Sequence, residues 1–152
     1  MAQSFRSLGD MSTASQAPAR VDFERGIVLD SNNRARTGLS VADVNAAIAS
    51  AKGCLWVDID ITVPGQADLL KQIQGLHPLS VDDALSRKQR PKVEEYQDYL
   101  FIVVLGVRFH EETPDPYDLE TFDLCFFLGN HFLITVHAGP SDAVDDVAER
   151  LK

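Results

Sequence analysis

Sulfur is scarce in this sequence, and nothing is built from it. The two cysteines, Cys54 and Cys125, stand alone with no Cys-x-x-Cys pair, which argues against a structural zinc site. Each lies in an apolar run and reads as a buried free thiol, implying a reducing compartment. No apolar stretch reaches the roughly 20 residues that cross a bilayer as a helix; the longest, Tyr99 to Val107, is β-branched and strand-length. There is no Gly-rich phosphate loop, and no serine or cysteine has an evident activating base, so the chain reads as non-enzymatic. Basic residues are few. A formal net charge of −9 sets the surface against nucleic acid. The histidines, His77, His110, His131 and His137, show no metal-ligand spacing, and His131 and His137 on one strand would lie about 20 Å apart. Residues 1–20 lack the apolar core of a signal peptide and read as a flexible leader before one domain, 21–152.

What is present suffices for one core: 152 residues, 45% of them hydrophobic. Gly26 to Leu29 reads as a strand and Asp30 to Arg34 as a polar turn. Ser40 and Asp43 form a capping box ahead of a helical stripe of Val41, Val44, Ile48 and Ala51, with Gly53 as its stop. Cys54 to Ile61 is a buried strand, and a helix from Pro64 turns Leu69, Leu70 and Ile73 inward. Tyr99 to Phe109 is nearly all apolar and reads as a central strand buried on both faces. A loop over His110 to Asp118 and a strand over Leu119 to Leu128 follow, then a Gly129-Asn130 hairpin into a strand over His131 to His137. Gly139-Pro140-Ser141 opens a last helix with Val144, Val147, Ala148 and Leu151 at helical spacing. That helix has no stop signal before Lys152, which suggests a fragment of a longer protein. Alternating helices and strands with one hairpin predict an α/β fold, a mixed parallel/antiparallel sheet flanked by helices.

The densest chemistry runs from Gly75 to Tyr99. Gly75 can end one helix in a left-handed conformation. Pro78 suits the first turn of the next. Pro91 forces Arg90 into extended backbone, so this helix is short. Its polar side carries adjacent carboxylates, Asp82 and Asp83. Such a pair is ordinarily a solvated surface, but it also offers hard oxygen ligands of the kind Mg²⁺ takes one or two of. Arg87, Lys88, Arg90 and Lys92 follow as a basic patch without aromatic interleaving, better suited to pairing with Glu94, Glu95, Asp98 or a neighbouring subunit than to nucleic acid.

Leu76-His77-Pro78-Leu79, Asp82-Asp83-Ala84-Leu85 and Gln89-Arg90-Pro91-Lys92-Val93-Glu94 together resemble the cytoplasmic domain of CorA-type divalent-cation transporters. Leu55-Trp56-Val57-Asp58-Ile59, Tyr99-Leu100-Phe101-Ile102-Val103, Leu119-Glu120-Thr121 and Phe132-Leu133-Ile134-Thr135-Val136-His137 extend the likeness in the same order. The resemblance implies an α/β/α sandwich at the cytoplasmic face of the inner membrane, part of a homopentameric magnesium/cobalt transporter or a ZntB-type zinc relative. It implies that Asp83, supported by Asp82, helps bind a regulatory Mg²⁺ (alternatively Co²⁺ or Zn²⁺) completed by a neighbouring subunit. The family's stalk, its two membrane helices and its Gly-Met-Asn motif are not in this sequence.

Two other readings compete. Asp58-Ile59-Asp60-Ile61-Thr62 resembles the nucleophile motif of haloacid-dehalogenase-like phosphatases, with Thr135 as a candidate phosphate-binding hydroxyl. No matching lysine or later acid pair accompanies it. The third reading is a stand-alone interaction domain.

Overall fold

In a computed structural model, residues 22–86, 88–109, 114 and 118–151 are described. The expected leader lies outside them, as does most of the expected loop at 110–118. Eleven elements follow along the chain: β1 Arg25–Leu29, β2 Ala35–Arg36, α1 Val41–Ser50, β3 Cys54–Asp60, α2 Gln66–Gln72, α3 Pro78–Leu85, β4 Lys92–Glu95, β5 Tyr99–Phe109, β6 Leu119–Gly129, β7 Phe132–His137 and α4 Asp142–Arg150. The strands form one sheet in the order β2-β1-β3-β7-β6-β5-β4. The β3–β7 pair is parallel and the others are antiparallel, giving the expected mixed sheet.

Strand side chains alternate between faces, and the registers assign those faces. Val57 pairs Ile134 and Ile59 pairs Val136, while Cys125 and Phe127 oppose Val136 and Ile134 from β6. These residues form one core with Val44 of α1, Leu69 and Leu70 of α2, and Val81 and Ala84 of α3. The intervening residues, among them Asp58, Thr135 and His137, turn to the opposite face. There α4 docks through Val144, and Asp145 pairs with Arg25 of β1. Helices on both faces make the α/β/α layering.

Local chemistry explains most boundaries. The capping box of α1 forms: Asp43 N–H donates to Ser40 Oγ at 3.2 Å, and Ser40 N–H donates to Asp43 Oδ2 at 2.9 Å. The helix stops earlier than the stripe predicts, because Ala51 leaves it at φ 51°. Gly53 follows at φ 80°, where an added Cβ would lie 1.9 Å from the Leu29 carbonyl oxygen. No side chain fits there.

Three expectations are corrected. Cys54 is exposed rather than buried, because it opens β3 at the sheet's end; Cys125 is buried as expected. The Tyr99–Phe109 segment is a strand but neither central nor buried on both faces. The edge strand β4 pairs with its Leu100–Val103 portion. Beyond that, β5 and β6 outreach the sheet as a hairpin, leaving Leu105, Val107 and Phe109 about half exposed or more. Third, β7 begins at Phe132, so His131 sits in the turn with Asn130.

Candidate functional site

Helix α3 is built where the sequence places it. Gly75 turns at φ 88°, and His77 caps the helix, its Nδ1 accepting from Leu79 N–H at 3.2 Å, with Pro78 in the first turn. The Tyr99 hydroxyl accepts from His77 N–H at 2.8 Å and lies 2.8 Å from Ser80 Oγ. The His77 ring lies tilted against Tyr96 at 5.2 Å between centroids and Tyr96 stacks on Tyr99 at 4.9 Å, so the helix start is fixed to β5. His77 is thus a cap and a packing group.

The acids stand in the second turn, away from the favourable N-terminal end of the helix dipole. Asp82 is exposed and Asp83 is half-buried. Lys92 of β4 binds Asp83 Oδ2 at 2.5 Å and Glu94 Oε1 at 2.9 Å, and its ammonium stands 5.6 Å from the centre of the Phe101 ring. Hydrogen bonds from the ammonium to Asp83 and then Glu94 raise the Lys92 pKa to about 12. Of the expected basic patch, therefore, Lys92 is the internal partner of Asp83 and Glu94, and Arg87 lies outside the described residues.

Among the described residues, no group of three or more His, Cys, Asp or Glu is arranged to hold a metal. Asp82 and Asp83 alone supply two hard carboxylate donors. They fit an ion that keeps most of its waters and takes one or two carboxylates, with Lys92 as a competitor for Asp83.

A second polar cluster lies on the α4 face; the phosphatase reading groups Asp58, Asp60 and Thr135, but sequence reasoning misses His137 and Arg25 as their partners. Parallel pairing sets Asp58 beside Thr135 and Asp60 beside His137. Asp58 is 3% exposed and His137 4%. Thr135 Oγ1 donates to Asp58 Oδ1, and His137 Nε2 lies 3.1 Å from Asp58 Oδ2. His137 Nδ1 lies 2.7 Å from the Gly139 carbonyl oxygen, and Arg25 stands 3.6 Å from Asp58. Burial works against the imidazolium, but Asp58, the Gly139 carbonyl and Asp60 outweigh it and hold the His137 pKa above its ordinary value. Asp60 is also partly buried, yet bonds from Thr62 and Gly139 N–H keep its pKa low.

This geometry does not present Asp58 as a phosphatase nucleophile. Both of its oxygens are engaged inside the sheet layer, and Thr135 bonds to the acid itself.

A family model described as CorA-like Mg²⁺ transporter protein matches residues 51–152. The chain is 32% identical over 96 residues to YfjQ of Bacillus subtilis (strain 168), itself only provisionally described as a metal ion transporter; this covers 63% of the chain and 28% of that protein. It is 26% identical over 136 residues to the cobalt/magnesium transport protein CorA of Thermotoga maritima, covering 88% of the chain and 38% of that protein. The soluble domain of CorA from Methanocaldococcus jannaschii has the same fold, with a TM-score of 0.58 at 18% identity over 86% of the chain and 47% of that structure. The chain thus spans less than half the length of each of these relatives.

Proposed function

From its membership of the CorA-like Mg²⁺ transporter family, we propose that this chain is the cytosolic regulatory domain of a divalent metal-ion transporter, with α3 as its ion sensor. The observation that carries the reading is the acid pair in the second turn of a helix whose start is fixed to the sheet. Asp83 is held half-buried by Lys92, and Asp82 beside it faces solvent. No helix among the described residues is long and apolar enough to cross a membrane; in this reading the transport path lies elsewhere in the assembled protein.

In this reading an intracellular divalent cation draws the α3 acids of one subunit towards a neighbour and favours the closed pore. When the cation is scarce, unscreened repulsion between these acidic domains loosens the ring. The coupling is differential affinity of one ion for two assembly states. Mg²⁺ suits the hard carboxylate pair best, with Co²⁺ and Zn²⁺ as the ions to compare. A homopentamer at the inner face of the membrane is the assembly that the family resemblance implies.

The test is a thermal-shift titration of the chain with Mg²⁺, Co²⁺ and Zn²⁺, beside the Asp82→Ala/Asp83→Ala variant. A ligand bound only by the folded state raises its stability by mass action. The reading predicts a rise that the double variant loses. No rise with any of the three ions would remove the cation site from this chain.

A further inference from the structure

The attachment of α4 differs from that of the other helices. It buries Val144, while Val147 and Leu151 of its apolar stripe remain 47% and 41% exposed. What holds it is mostly charge and hydrogen bonding. Asp145 pairs with Arg25, which also faces Asp58. The preceding turn, with Gly139 at φ 82°, is held from three sides. Asp60 Oδ1 accepts from Gly139 N–H at 2.9 Å, His137 Nδ1 lies 2.7 Å from the Gly139 carbonyl oxygen, and Arg108 donates to the Pro140 carbonyl.

The two contacts of the His137 ring define its protonation. A carbonyl oxygen only accepts, so Nδ1 carries a hydrogen. Nε2 faces a carboxylate oxygen that already has Arg25 nearby, and a hydrogen on Nε2 satisfies both groups. With a hydrogen on each nitrogen the ring is an imidazolium buried between β3 and the α4 turn. Removing the proton sets two lone pairs against each other at 3.1 Å inside the protein or forces the ring to give up Gly139.

We propose that this arrangement is a proton-dependent latch: the His137 imidazolium, clamped between Asp58 and the Gly139 carbonyl, keeps α4 docked on the sheet, and loss of its proton lets the helix lift. The charged groups facing the latch are Asp58 and Asp60 of β3, Arg25 of β1, Asp145 of α4 and Glu24, which lines the same small cavity. Arg25 stays cationic across the relevant range, so it cannot release the helix by titrating; His137 can. The sign follows from linkage. A histidine whose pKa is higher when docked stabilises docking fully below its free value near 6.5 and loses that contribution as pH rises through the docked value. Between those two values the docking equilibrium falls about tenfold per pH unit. The latch rests on the α4 face and is independent of the α3 acids.

The experiment follows the ¹⁵N shifts of the His137 ring from pH 6 to pH 10, together with amide-exchange protection of α4 corrected for intrinsic rates. Both ring nitrogens should be protonated at pH 7, and α4 protection should fall along the same titration. His137→Gln should leave α4 weakly protected, with no pH dependence over that range. A neutral ring at pH 7, or α4 protection that ignores the titration of His137, would overturn the latch. Both readouts come from the unmodified chain, so the test stands even if the variant folds poorly.

Discussion

Lys92 Nζ sits 2.5 Å from Asp83 Oδ2, joining the edge strand β4 to the second turn of α3. Lysine and metal therefore compete for the carboxylate on which the proposed sensing depends. Lys92→Met keeps an unbranched apolar side chain of similar length beside Phe101, removes the ammonium and frees the acid. It should strengthen Mg²⁺ binding to the chain several-fold, read by titration calorimetry. The loss in stability should be small, on the order of 0.5–1 kcal/mol, as for partly exposed ion pairs. Unchanged or weaker binding would mean that Asp83 is held for structure alone.

Asp58 carries the opposite expectation, because it is buried with its partners. Asp58→Ala strands the His137 charge and the Thr135 hydroxyl in the sheet layer and should cost about 3 kcal/mol or more, read by urea denaturation. Replacing Asp58 and His137 together by apolar residues should cost less than the single change, because no unpaired charge remains. A single-variant loss under about 1 kcal/mol would show that the pair is not desolvated as described.

The two thiols should react very differently. Cys54 is exposed, whereas burial pushes the Cys125 thiol up to about 12. Only the thiolate is nucleophilic. One equivalent of thiol reagent should therefore react quickly with the folded chain at pH 8, and the second only after denaturation. Two fast equivalents would contradict the placement of Cys125.

Helix α1 depends on its first residue. Ser40→Ala removes the acceptor for Asp43 N–H and should destabilise the chain by about 1 kcal/mol, lowering its melting temperature. Ser40→Thr retains the hydroxyl that accepts from Asp43 N–H and donates to the Asp43 carboxylate, and should largely restore it.

Local chemistry was legible from sequence: the capping box, the His77-Pro78 start of α3, the exposed Asp82 and the alternation of helix and strand all stand where the residues predict. What needed the structure was register. Asp58 and Thr135 are 77 positions apart, and only the parallel β3–β7 pairing makes them neighbours. Sequence weighed His137 against His131 for metal spacing, when its partner was an acid on another strand. The exposed half of β5 was misread for a related reason. An apolar run reports strand character, but whether neighbours cover it depends on how far β4 and β7 extend. The two-residue strand β2 has no periodicity to detect. Lys92 as the partner of Asp83 was likewise invisible, because it depends on where β4 passes α3.

The central claim, ion sensing by the α3 acids, is tested most directly by metal uptake through the assembled transporter carrying Asp83→Ala, compared with the unmodified protein at high internal Mg²⁺. The account predicts that the unmodified transporter is shut under these conditions while the variant keeps taking up ions. Equal inhibition of the two would contradict it and leave Asp83 as a salt-bridge partner of Lys92.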